Sequence, residues 1–266
     1  MTQSAGFVVS FAETHPSRFL PSNKMIASDG ASPQDFPGVT TGGTGVYNSV
    51  SSCFIFCCAS TAAISKNKKA AIKSNIFYPL NLLELEVQQK GGSGLQRIND
   101  VRNFPIFSNI PFDASKNAIA LFISEILYRS LREEMPNPPL FEYIFNSLLL
   151  LDLETTVGDF HILFLLQLTK YSGFYPLNNY SSINCYFDLL NGRFVPIIPN
   201  HNHFLEKTES EILAGLMVKS FSDLNSLQIS RSLRQSLLER LVEYYCLHNE
   251  GIGKIKSLQI LKEIFN

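Results

Sequence analysis

Glycine-rich turns, clustered cysteines, paired histidines and a lysine run are the places where this sequence could do chemistry. Gly42-Gly43-Thr44-Gly45 and Gly91-Gly92-Ser93-Gly94 lack the Gly-Lys-Ser/Thr that a phosphate loop needs, and neither sits between a clear strand and helix. Gly251-Ile252-Gly253-Lys254 reads as a connection between helices. His201 and His203, taken with Cys185, suggest zinc, but there is no Cys-x-x-Cys pair and the ligands are too few for a closed structural site. His161 lies in the most apolar stretch with neither a nucleophile nor an orienting carboxylate beside it, which is the setting of a satisfied core histidine. Glu133-Glu134, and Asp152 with Glu154, are helix-terminal acids and not a carboxylate pair in a pocket. Cys57-Cys58 has no local cation to lower a thiol pKa. No enzyme signature is left after this sorting.

The remaining candidate is a basic cluster. Lys66, Lys68, Lys69 and Lys73 are followed by Arg97 and Arg102, with Phe77, Tyr78 and Phe104 interleaved. Lysines that meet phosphates and rings that stack on bases are the ingredients of single-strand binding on a small β-barrel. A solvated charge run has the same composition, so the cluster alone leaves both readings open.

The elements that would carry these residues begin near residue 65. Ile76–Lys90 and Leu95–Phe104 are strand candidates around the Gly91–Gly94 turn, and LELEV alternates apolar and acidic residues as a half-exposed strand should. A lone hairpin is marginal in water, so it needs further strands or a helix to lie on. Asp113 is a plausible N-cap for ASKNAIALFISEILYRSLREE, which MPNPP ends. PLFEYIFNSLLLLDLE is a second helix and VGDFHILFLLQLTKYSG a third, apolar on nearly every side and hence central, with Gly173 as its C-terminal glycine. A short hairpin turning at Asn191-Gly192 follows, then helices over Ser210–Val218, Ser230–His248 and Ile255–Phe265.

Residues 1–64 have a different character. Their charges are Glu13, Arg18, Lys24, Asp29 and Asp35, and no helical or strand period is sustained, although GFVVSF and CFIFCC could be short strands. The uncharged run from Pro37 to Ser65 has an apolar part shorter than the ~20 residues that cross a bilayer. The amino terminus lacks the basic start and apolar run of a signal peptide. Over the whole chain of 266 residues the formal net charge is −1, so a nucleic-acid site must be a local patch with salt-sensitive affinity. Five cysteines, an odd number with Cys53, Cys57 and Cys58 crowded together, fit a reducing cytoplasm better than a disulfide framework.

The order of the pieces adds a resemblance. SKNKKAAIKSNIFYPLNLLELEV, then LQRINDVRNFPIFSNIPFDASKNAIALFISEILYRSLREEMPNPPLFEYIFNSLLLLD, then FHILFLLQLTKYSGFYP, FDLLNGRF and LVEYYCLHNEGIGKIKSLQILKEIF resemble the RecO family of DNA-repair proteins in its Bacteroidetes form, from about residue 65 to the end. The resemblance implies an α+β chain in which an N-terminal OB-like barrel precedes a mainly helical C-terminal domain. It also implies binding of single- and double-stranded DNA and of the single-strand-binding protein's acidic tail, strand annealing, and RecA loading with RecR, in the cytoplasm at the nucleoid. No cofactor and no catalysis are implied. By position, Lys66, Lys68, Lys69 and Lys73 fall in the family's basic barrel loop, and Lys254, Lys256 and Lys262 in its basic closing helix. For the protein tail, an apolar pocket rimmed by guanidinium is required, and Tyr128, Arg129, Leu131 and Arg132 suit it. Relatives with four zinc-binding cysteines have their counterpart here only in Cys185, so no zinc is expected.

Residues 1–64 depart from the family pattern, and their composition is that of a replaced segment or of translation in a wrong frame. The expected organisation is therefore an atypical 1–64, a remnant of the OB-like β-domain over 65–108, and a helical domain over 109–266. An alternative of another class is a helical scaffold for protein partners that has lost DNA binding.

Overall fold

The computed structural model describes residues 7–11, 50–57, 76, 78–88, 97–131, 137–226 and 229–265. The strands are β1 (Phe7–Phe11), β2 (Val50–Cys57), β3 (Leu82–Gln88), β4 (Arg97–Asn103), β5 (Tyr186–Asp188), β6 (Arg193–Val195) and β7 (Phe204–Leu205). The helices are α1 (Ala114–Ser130), α2 (Pro138–Leu153), α3 (Phe160–Tyr171), α4 (Lys207–Met217), α5 (Arg231–His248) and α6 (Ser257–Ile264), with a 3-10 turn at Phe221–Ser226. The chain is thus α+β. It divides into a first unit, Met1–Ser108 with Leu131–Leu148, and a second, Asn109–Ser130 with Leu149–Asn266.

In the first unit the strands form an antiparallel meander in the order β1-β2-β3-β4. The β3–β4 pairing expected from LELEV is present, with Glu84 opposite Arg102, Leu85 opposite Val101 and a bulge at Glu86/Val87. The hairpin does not stand alone: β2, from the CFIFCC segment, pairs along β3, and GFVVSF supplies β1. The glycines of the expected turn lie outside the described residues.

The first strand starts six residues later than its hydrophobic pattern suggests, at Leu82 and not Ile76. Pro79 and Leu80 form a turn closed by the Asn81 N–H donating to the Tyr78 carbonyl at 3.0 Å, and Leu80 has φ +62°. Pro followed by a positive-φ residue is the type II pattern, which cannot continue a strand. Leu82 and Leu83, which point to opposite faces, are both buried, so this end of β3 is covered on both sides.

In the second unit α3 is the core. Every side chain from Phe160 to Leu166 is buried, as an all-round apolar helix requires. The phenol of Tyr245 on α5 donates to the Leu165 carbonyl at 2.7 Å. α3 ends as its glycine predicts: Gly173 has φ +80° and the Phe174 N–H returns to the Thr169 carbonyl at 3.2 Å, a Schellman closure.

α1 begins as expected, with Asp113 Oδ1 accepting the N–H groups of Ser115 and Lys116 at 2.8 and 3.0 Å. It stops at Ser130, ahead of the proline segment, where Asn249 Nδ2 donates to the Ser130 carbonyl at 2.9 Å. α4 begins three residues earlier than its apolar spacing suggests, because the Glu206 N–H donates to Glu209 Oε2 at 3.4 Å in a capping box. The hairpin at Asn191-Gly192 is β5 with β6, and β7 joins the other edge of β5.

Candidate nucleic-acid interface

In the first unit Arg102 is mostly exposed on β4, and its Nε donates to Glu84 Oε2 on β3 at 2.6 Å. The cross-strand register that lines them up also sets a carboxylate against the positive charge of Arg102. Tyr78 and Phe104 are both exposed large rings in this unit. Arg97 belongs to β4 by its backbone. Lys66, Lys68, Lys69, Lys73 and Phe77 lie outside the described residues.

In the second unit the basic residues near the carboxyl end have unequal surroundings. Lys262 on α6 is tied to Glu239 on α5 by a short ion pair. Lys254 and Lys256 are exposed, and neither ammonium group meets a partner among the described residues. Both sit in the segment joining α5 to α6, where Ile252, Ile255 and Ser257 are buried and the lysines point out between them. Gly253 has φ +53°, so this Gly-Ile-Gly-Lys stretch is a helix connection, as its sequence suggests.

That segment is held from α1. Arg129 donates from Nη1 to the Ile252 carbonyl at 3.0 Å and from Nε to Glu125 Oε1 at 3.0 Å. The other oxygen of Glu125 accepts the backbone N–H and the hydroxyl of Ser257 at 2.8 and 2.7 Å. Burial pushes the Glu125 carboxyl up, but the bonds from Ser257, the Lys256 backbone and Arg129 together hold it below its ordinary value. Asn249 Oδ1 accepts the Gly251 N–H at 3.0 Å.

Among the other singled-out residues, Tyr128 is half-buried, Leu131 is buried, and Arg132 lies outside the described residues. His201 Nε2 faces Asp188 at 3.4 Å, and His203 Nδ1 meets Glu243 Oε1 at 2.6 Å beside Arg240. Among the described residues no three His, Cys, Asp or Glu side chains converge as a metal site. His161 is fully buried against the rings of Phe122 and Phe265, the place of a core histidine, and its Nδ1 meets no hydrogen-bond partner among the described residues. No helix among the described residues is long and apolar enough to cross a membrane.

This helical frame is a known one. Residues 111–259, from the entrance of α1 into α6, match the family described as Recombination protein O C terminal. The chain belongs to the RecO family. The DNA repair protein RecO of Bacteroides fragilis is 38% identical over 206 residues, which cover 76% of this chain and 85% of that protein. The RecO of Phocaeicola vulgatus is 35% identical over 205 residues, 77% of this chain and 85% of its own length. The RecO of Flavobacterium psychrophilum is 35% identical over 201 residues, or 75% and 83%. Both descriptions place these relatives in recombination and DNA repair. The matched RecO region contains Lys254, Lys256 and the residues that hold them, while Lys262 lies just beyond it.

Sequence reasoning missed Glu125, Asn249 and Ser257. Glu125 and Arg129 stand at i and i+4, a spacing that signals a pair on one helix face. Asn249 and Ser257 carry no such local signal, since their partners on α1 are more than a hundred residues away in the chain.

Proposed function

We propose that this chain is a recombination mediator that binds DNA in part through Lys254 and Lys256. The observation that carries the reading is their state: two exposed ammonium groups that meet no partner among the described residues, on a braced connection inside the family-matched region. Unpaired lysines release counterions from a phosphate backbone, whereas an ammonium already paired with a carboxylate contributes less. Lys66, Lys68, Lys69, Lys73, Arg97 and Arg102 extend the DNA-binding set, with Tyr78 and Phe104 as stacking platforms. The four-stranded meander is read as the counterpart of an OB-type barrel, and residues 109–266 as the helical domain. Single-strand-binding protein, RecR and, through them, RecA are the proposed partners, with strand annealing as the accompanying activity. Of the four residues expected to meet the acidic tail, Leu131 is buried and Arg129 is bonded to Glu125 and Ile252, so Tyr128 and Arg132 are kept as the proposed contacts.

The second reading, a protein scaffold without DNA binding, draws support from Arg102 and Lys262, both engaged by carboxylates. Fluorescence anisotropy of a labelled single-stranded oligonucleotide across a salt series separates the two. Replacing Lys254 and Lys256 by Ala should reduce the slope of log affinity against log salt by about 1.4, two contacts at ~0.7 each. An unchanged slope would remove these lysines from the DNA site. Absence of binding by the unmodified chain would favour the scaffold.

A further inference from the structure

We infer that Glu125 and Arg129 of α1 are positioning residues for Lys254 and Lys256, so that Arg129 serves DNA binding through the loop and not by touching a ligand. This rests on the DNA-binding reading above. The geometry divides the labour within one carboxylate. Glu125 Oε1 takes Arg129, whose Nη1 reaches the Ile252 carbonyl, and Oε2 takes the first residue of α6 through its N–H and hydroxyl. The pair therefore grips the connection at Ile252 and again at Ser257, and both lysines lie between the grips. Asn249 adds a third attachment, to the Ser130 carbonyl at the end of α1.

All three kinds of guanidinium nitrogen on Arg129 are engaged: Nε and Nη2 with Glu125, and Nη1 with Ile252. Three of its five N–H donors are so committed, and the bidentate edge formed by Nε and Nη2 is already taken by Glu125, so it is not open to a phosphate or a peptide carboxylate. The buried side chains of Ile252 and Ile255 fix the segment from below, which leaves Lys254 and Lys256 directed outward. A loop ordered before binding does not lose its backbone freedom when DNA arrives, so the brace shows as affinity. Lysine cannot replace Arg129, because one ammonium cannot span two acceptors in the planar geometry of a guanidinium.

The test is a double-mutant cycle on the full chain, read by anisotropy of a labelled single-stranded oligonucleotide across a salt series, with thermal unfolding recorded for each variant. Arg129→Lys keeps the charge and should weaken binding about three- to tenfold. Glu125→Gln removes a negative charge and should still weaken it, an effect opposite to that of charge alone. Neither substitution should weaken binding further in a chain that already carries Lys254→Ala and Lys256→Ala, because the brace then has nothing to position. Additive losses would overturn the inference and make Arg129 an independent contact. So would unchanged binding by Arg129→Lys in a chain where the lysine substitutions do weaken it. If the lysine substitutions themselves have no effect, the DNA reading of this loop fails first, and the positioning role falls with it.

Discussion

The hydroxyl of Tyr244 stands 2.8 Å from the point where a β-carbon on Gly192 would lie. Gly192 has φ +62° at the turn between β5 and β6, and the same hydroxyl donates to the Phe174 carbonyl at 2.7 Å. Burial raises this phenol to about 12, so it remains a donor at any physiological pH. Gly192→Ala meets both a strained backbone and an occupied space, and should cost about 2–4 kcal/mol of unfolding free energy. Adding Tyr244→Phe to that variant should recover part of the loss but not the part due to φ. Urea denaturation of the two single variants and the double variant measures the split.

His161 makes stability depend on acid. Burial, with a smaller contribution from Arg234, lowers its pKa to about 3, against ~6.5 in an unfolded chain. The unfolded state therefore binds the extra proton between those values, and stability falls as pH falls below about 6.5, by up to ~1.4 kcal/mol per pH unit. Melting temperatures across pH 4 to 7 should decline toward acid, and His161→Leu should flatten the part of that decline nearest pH 6. A wild-type profile that rises toward acid would contradict the assignment.

Asp152 joins the last turn of α2 to the entrance of α1. Its Oδ1 accepts the Asn109 and Ile110 N–H groups at 2.8 and 2.7 Å, and its carbonyl accepts the buried ammonium of Lys116 at 2.6 Å. Asp152→Ala leaves two backbone donors without this acceptor, at a cost of about 2–4 kcal/mol. Hydrogen exchange should show loss of protection at Ile110 before any change at Leu165, deep in α3.

Leu80 poses two effects against each other. A left-handed conformation costs a leucine about 1–2 kcal/mol, which Leu80→Gly would relieve. Emptying a site that is 1% exposed costs about 2–5 kcal/mol, so the substitution should destabilise overall. Chemical denaturation with a lower midpoint is the expected result. A higher midpoint would mean that the turn and not the packing limits stability here.

Periodicity and punctuation within one stretch of chain were enough for much of this protein. The all-apolar face of FHILFLLQL requires burial on every side, so α3 had to be central, and Gly173 had to end it because only glycine takes that φ without cost. Asp113 declared the start of α1, and LELEV declared a strand. The order of such pieces also carried the family. Tertiary structure alone decided the rest. Pro79-Leu80 became a turn because burial of the leucine outweighs its strain, and α1 ends at Ser130, whose carbonyl Asn249 takes. It likewise separated the lysines, pairing Lys262 with Glu239 and leaving Lys254 and Lys256 without partners among the described residues. A charge in sequence says only that a side chain can meet a phosphate. Whether a carboxylate already occupies it depends on which distant helix folds beside it, and no local pattern encodes that.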